Sequence, residues 1–125
     1  MDENELSNVI IKLAMKVHTK PGAGLLESVY QECLRYELSK AGFQVEKEKP
    51  YPLLYEELKF DLGFRADLVI EDKIIVECKC VEALHEVHKA QLLTYLRLAD
   101  CKLGLLFNFK TLQLRNGMKR VVNGL

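Results

Sequence analysis

Two neighbouring stretches place two acidic residues and a lysine at a spacing that suits catalysis. Asp67 lies in the segment RADLVI, and Glu77 and Lys79 lie in IIVECK, which begins after three intervening polar residues. Both segments have the composition of strands, so the short polar stretch predicts a hairpin. Because side chains alternate faces along a strand, Glu77 and Lys79 point the same way. A three-residue turn would set Asp67 opposite Glu77, with Cβ atoms about 5 Å apart.

This carboxylate pair favours a divalent cation. Two facing carboxylates repel each other and destabilise a sheet, and the apolar neighbours on both strands leave little water to offset the repulsion. Mg²⁺ or Mn²⁺ would turn the repulsion into attraction, because both prefer carboxylate oxygens and water as ligands. Lys79 could then position an attacking water or stabilise a phosphoryl transition state. The alternative is a solvated Glu–Lys ion pair worth less than ~1 kcal/mol.

The composition limits the range of function classes. The 125 residues, 49% hydrophobic and 29% charged, predict one soluble globular domain spanning 1–125. Eighteen basic and eighteen acidic residues cancel, so no overall field attracts nucleic acid or an anionic membrane. The four cysteines match neither a CxxC pair nor a zinc knuckle. With no transmembrane run and no secretory signal, the predicted location is cytoplasmic and no membrane partner is expected.

The hydrophobic pattern predicts two helices, three strands, a third helix, a further buried strand and a short last strand. Pro50 and Pro52 interrupt the first strand, Gly63 is typical of a bulge, and Asn116-Gly117 indicates a hairpin turn. We therefore expect an α/β or α+β domain with a central mixed β-sheet flanked by helices, and a right-handed parallel crossover in its second half. The predicted helices are 4–17, 25–41 and 87–98, and the predicted strands are 43–48, 58–70, 73–80, 103–109 and 121–122.

A further motif precedes the two strands. Residues 24–30 read GLLESVY, which matches GxxExxY, and the Asp67 and Glu77-x-Lys79 elements follow it. With this order and spacing, the chain resembles the GxxExxY proteins, a branch of the PD-(D/E)XK nuclease superfamily, from about residue 10 to residue 122. The resemblance implies a restriction-endonuclease-like core and metal-dependent hydrolysis of phosphodiester bonds in DNA, less readily in RNA.

The resemblance also implies roles for individual residues. Asp67 and Glu77 would be metal ligands, and Lys79 the catalytic lysine. Glu27 would correspond to the helical glutamate of many superfamily members, either as a ligand or as a water-holding group. Gln91, in QLLTY, matches a helix-borne glutamine that some nuclease branches place beside the site.

Several alternatives stay open at this stage. Tyr30, one turn from Glu27, either forms hydrogen bonds within the site, where it could contact substrate, or fills the core. Arg65 either contacts a phosphate or balances Glu77. The resemblance allows a homodimer, although no apolar stripe requires one. A catalytically silent module that binds nucleic acid or a partner protein is the competing function; neutral net charge favours it, and the intact set of site residues opposes it.

Overall fold

A computed structural model describes the whole chain, Met1–Leu125, as three helices and five strands. None of the helices combines the length and the apolar character needed to cross a membrane. The elements in chain order are α1 (Glu3–Thr19), α2 (Glu27–Lys40), β1 (Val45–Tyr55), β2 (Leu58–Ile70), β3 (Ile74–Lys79), α3 (Glu86–Ala99), β4 (Leu103–Asn108), a 3₁₀ turn (Leu114–Gly117) and β5 (Met118–Val122).

The five strands form one mixed sheet in the order β1-β2-β3-β4-β5. Strands β3 and β4 are parallel, and every other neighbouring pair is antiparallel. A parallel pair needs a crossover connection, which α3 provides. The α+β architecture and the predicted parallel crossover are therefore confirmed, and they match a restriction-endonuclease-like core.

Helices cover both faces of the sheet. Helices α1 and α2 pack on one face, where Leu34, Val76 and Cys78 belong to the larger apolar cluster. Helix α3 packs on the other face, where Leu92 and Ile75 belong to a smaller cluster. Because alternate residues of β3 enter different clusters, one side of each central strand faces α3 and the other faces the helix pair.

The two ends of α2 differ in how well the sequence defines them. At its C-terminus, Gly42 has a φ of 94°, and the N–H groups of Gly42 and Phe43 donate to the carbonyls of Ser39 and Leu38. This is a Schellman motif, and it ends the helix. At its N-terminus, Leu26 is the cap residue and makes no side-chain cap bond.

Two turn predictions need correction. Strand β1 continues through Pro50 and Pro52 to Tyr55, because it is an edge strand, where a missing N–H need not cost a ladder bond. Asn116-Gly117 ends a 3₁₀ turn and forms no two-residue hairpin. Gly117 is needed there for packing, since an added Cβ would lie 2.6 Å from the Thr111 side chain.

The predicted bulge on β2 is confirmed. The β1–β2 register shifts between Tyr51 and Leu53, opposite the segment that contains Gly63. A Cβ on Gly63 would lie 2.6 Å from the Cβ of Leu53, so only glycine fits this backbone approach.

Candidate active site

The backbone pairing of β2 and β3 ends at Leu68 and Val76, and beyond this point acidic side chains bridge the two strands. The strands pair from Ile70–Ile74 to Leu68–Val76, which confirms the three-residue turn. One residue further, Glu77 Oε2 accepts the Asp67 N–H at 2.8 Å. In return, Asp67 Oδ2 accepts the N–H of Cys78 at 2.9 Å. Each carboxylate thus takes a bond from the backbone of the opposite strand. We call Asp67 and Glu77 the acid pair.

The alternation of side chains along β2 breaks at Asp67. Ala66 belongs to the cluster under α3, whereas Leu68 belongs to the cluster under α1 and α2. Residues two apart on a regular strand would share a face. The alternation of side chains between the two faces of the sheet is therefore interrupted at Asp67. This irregularity allows the Asp67 carboxylate to reach the N–H of Cys78 on β3.

The acid pair has no cationic side chain in an ion pair with it that would stabilise its charged form. Burial, and then repulsion from Asp67, raise the pKa of Glu77 from an ordinary 4.5 to about 8. Burial is also the main cause of the raised pKa of Asp67, which the Cys78 N–H and the nearby Lys79 charge oppose. Glu77 is only 3% exposed, so water cannot solvate its charged form.

Glu27 joins the acid pair from α2. It is the first residue of the helix, and its Oε1 accepts the N–H of Cys80 at 2.9 Å. The amides of Cys78 and Cys80 are two residues apart along the same chain, so Asp67 and Glu27 bind successive amides on one side of it. The charge of Glu27 also contributes to the raised pKa of both members of the acid pair.

Lys79 is the cation closest in sequence to this cluster. It is half-buried and forms no ion pair within 4 Å of any carboxylate. Its charge nevertheless lowers the pKa of Asp67 and Glu77, so its ammonium group lies within electrostatic range of both. The Lys79 ammonium is therefore free to interact with an anionic substrate.

Three other predicted residues occupy different positions. Arg65 is exposed and forms no ion pair, so the predicted balance of Glu77 is not formed. Gln91 lies exposed on α3, without a hydrogen bond to the acid pair. Tyr30 is fully buried and its ring stacks on Phe109, so the ring fills the core, and contact of this residue with substrate stays a prediction.

The sequence reasoning missed two residues near the acid pair. Tyr95 stacks on Phe64 at 4.2 Å between ring centroids. Burial raises the pKa of Tyr95, and the charges of Glu77 and Asp67 add to the increase, so the phenol lies near both. Its spacing of four residues from Gln91 on α3 could have indicated this position.

Glu48 is the second missed residue. Its neighbours Lys47 and Lys49 pair with Leu68 and Ala66, so Glu48 lies opposite Asp67 on β1. Its φ of 50° is unusual for a residue with a side chain. The carboxylate is exposed and adds to the repulsion that raises the pKa of Asp67. No sequence pattern could have found it, because the register across the Gly63 bulge cannot be counted from sequence.

The acids fit a hard divalent cation in one specific way. No three His, Cys, Asp or Glu side chains of the chain converge into a ready metal-ligand group. Mg²⁺, however, usually binds one or two carboxylates and keeps several waters, which the acid pair could provide with Glu27 nearby. The raised pKa of Glu77 means that its charged form is unfavourable in this buried position, and a bound cation would stabilise that charged form.

Comparison with known proteins agrees with the fold. A family model described as the PD-(D/E)XK nuclease superfamily matches residues 4–121, nearly the whole chain. No curated protein and no solved structure matches the chain significantly. The match covers both helices of the first half, the complete sheet except its last residue, and all the candidate site residues. The chain belongs to the PD-(D/E)XK nuclease superfamily.

Proposed function

We propose that this chain is a Mg²⁺- or Mn²⁺-dependent nuclease of the GxxExxY branch that hydrolyses phosphodiester bonds of DNA, and of RNA less readily. The observation that carries the proposal is the acid pair, whose two carboxylates each take a backbone N–H of the opposite strand beside the unpaired Lys79. A buried, mutually repelling carboxylate pair is costly for a fold. A bound divalent cation would offset that cost, because it attracts both carboxylates.

Asp67 and Glu77 would hold the cation, with Glu27 as a third ligand or as the group that holds a coordinated water. When bound, the cation would neutralise phosphate charge and lower the pKa of water. Lys79, free of ion pairs, would position the attacking water and stabilise the negative charge that develops on the phosphate. Gln91 and Arg65, both exposed, would contact the substrate beside these groups.

Proton exchange at Glu77 is part of the proposed binding step. With a pKa of about 8, its carboxyl keeps its proton in most molecules at neutral pH. The proton must leave before both oxygens can serve as anionic ligands. We therefore expect cation affinity and cleavage to increase as the pH rises from 6 to 8.

Cleavage assays test the proposal directly. Supercoiled plasmid and single-stranded DNA are incubated with the full chain and Mn²⁺ or with a chelator. We expect cleavage with Mn²⁺ only, and loss of cleavage in Asp67→Ala and Lys79→Ala with the fold retained. Asp61→Ala, an exposed acid of β2 outside the cluster, is the matched control and should cleave normally. Full activity in both site variants would refute the proposal.

A catalytically silent module is the second candidate, and two observations favour it. The net charge is zero, and no three ligand side chains converge without a cation. Such a module would keep the fold and bind nucleic acid or a partner protein without turnover. Mn²⁺ binding by calorimetry together with no cleavage of plasmid, single-stranded DNA or RNA would establish this alternative.

A further inference from the structure

The first turn of α2 has no side-chain cap. Its cap residue is Leu26, whose side chain has no atom that can accept an N–H. In α1 the equivalent residue is Asp2, which accepts the Glu5 N–H at 2.8 Å in a capping box. An uncapped first turn frays because its N–H groups have no partners. Glu27 lies in this turn, so some other contact must hold it.

The hydroxyl of Tyr30 supplies such a contact. It donates a hydrogen bond to the carbonyl of Gly22 and accepts the Leu25 N–H at 3.1 Å. These two residues are the ends of the loop that enters α2, so one hydroxyl fastens the loop at both ends. The ring has no exposed surface and stacks on Phe109 at 4.6 Å, which fixes the position of the hydroxyl.

The fastened loop leads directly to the candidate site. The Cys80 N–H donates to Glu27 Oε1 at 2.9 Å, and the Cys80 thiol lies 3.8 Å from the Leu25 carbonyl. Gly24, with a φ of 105°, allows the loop to turn between these contacts. Core, loop and acidic side chain are thus connected by consecutive contacts.

We infer that Tyr30 is a positioning residue: through the loop Gly22–Leu25 it holds Glu27 against Cys80. The inference deepens the proposed function and rests on it, since the position of Glu27 matters to catalysis only if the site binds a cation. The inference also means that the three residues of the GxxExxY motif act together to position one carboxylate. Gly24 makes the turn, Glu27 provides the carboxylate, and Tyr30 fastens the loop that connects them.

Hydrogen exchange of single amides tests this inference without any cation. Tyr30→Phe removes the hydroxyl and keeps the stacked ring. By NMR, we expect the Cys80 amide to exchange about tenfold faster in this variant, because its bond to Glu27 opens more often. The Cys78 amide, bound by Asp67 within the sheet, should keep its rate and serves as the internal control. Tyr36→Phe, on an exposed ring of the same helix, is the matched variant and should change neither rate.

A double variant separates positioning from a general loss of stability. Glu27→Ala removes the acceptor and speeds Cys80 exchange by itself. If Tyr30 acts through Glu27, adding Tyr30→Phe to Glu27→Ala produces no further increase, since the effects of coupled residues do not add. An additive increase, or a normal Cys80 rate in Tyr30→Phe alone, would overturn the inference.

A second variant keeps the test valid if Tyr30→Phe does not fold. Gly24→Ala strains the same loop from its solvent side, where no atom lies within 4 Å of the added Cβ. Faster Cys80 exchange supports the inference, and an unchanged rate contradicts it. Gly124→Ala, also at positive φ but at the chain end, is the control. Because these measurements need no cation, failure of the wild type to bind Mn²⁺ would count against the proposed function alone.

Discussion

Asp67 and Glu77 are held within a sheet, whereas Glu27 is held at the uncapped end of a helix. The acid pair is bound to the backbones of two strands that are fixed by the hydrophobic core on both faces. Glu27 is exposed and depends on one amide of Cys80 and on a loop fastened by Tyr30. The acid pair is therefore held rigidly in a position where its charged form is unfavourable, whereas Glu27 can change its position more easily.

This difference suggests a division of labour. Burial within the sheet raises the pKa of Glu77 and creates the demand for a cation. An exposed carboxylate at the end of a helix costs little to hold, and it can adjust to the cation and its waters. We therefore expect the acid pair on the sheet to determine whether a cation binds. We expect Glu27 on the helix to have a smaller effect, on the rate of cleavage.

The largest expected effect is a loss of cleavage rate, which should differ between substitutions in the acid pair and at Glu27. Asp67→Asn should reduce the rate of plasmid cleavage at a fixed Mn²⁺ concentration by about 10³-fold, because a charged ligand of the cation is lost where phosphate charge must be neutralised. Glu27→Gln should reduce it by about 10-fold to 100-fold, the range typical of supporting groups around a metal. Equal losses in the two variants would contradict the proposed division.

The next prediction concerns stability and pH. The pKa of Glu77 is about 8 in the folded chain and about 4.5 when the chain unfolds. Between these values the folded state binds a proton that the unfolded state releases, so the free energy of unfolding falls as the pH rises. This contribution is complete below pH 4.5 and is lost as the pH rises through 8, and a shift of this size corresponds to roughly 5 kcal/mol.

Urea unfolding of the wild type and of Glu77→Gln measures this contribution. The amide cannot ionise, so the stability difference between the two proteins should change steadily from pH 5 to pH 8. Mn²⁺ added at pH 8 should restore part of the lost wild-type stability and none in the variant. A difference that does not vary with pH would show that Glu77 ionises normally.

The smallest expected effect concerns Glu48, opposite Asp67 on the edge strand. Its exposed charge adds to the field at the acid pair without a direct bond, so Glu48→Gln should weaken Mn²⁺ binding about threefold at low salt. Glu46→Gln, whose carboxylate is paired with Lys49, is the control on the same strand. A loss as large as that of Asp67→Asn would make Glu48 a ligand and would extend the site to β1.

Most of the sheet, and the acid pair with it, could be predicted from the sequence. Three polar residues between two apolar strands favour a three-residue turn, and Ile70 does pair with Ile74. The same counting fails on β1, because the bulge at Gly63 shifts the register and Pro52 lies within a continuous strand. Counting can therefore locate Asp67 and Glu77, and it cannot locate Glu48.

Tyr30 shows a different limit of prediction. A buried aromatic residue at helical spacing is typical of a core, and Tyr30 is one. Its proposed role in positioning Glu27 depends on the hydrogen bonds of its hydroxyl with the loop Gly22–Leu25. The glycines of this loop follow no periodic pattern that would predict its conformation. Loop conformation is set by contacts distant in sequence, such as the stack on Phe109, and local propensity cannot supply these.

A calorimetric titration of Mn²⁺ into the full chain at pH 8 tests the central claim most directly. We expect saturable binding that Asp67→Asn abolishes, that Glu27→Gln weakens, and that Asp61→Asn leaves unchanged. Absence of binding to the wild type, or equal binding by wild type and Asp67→Asn, would contradict the claim that the acid pair forms a cation site.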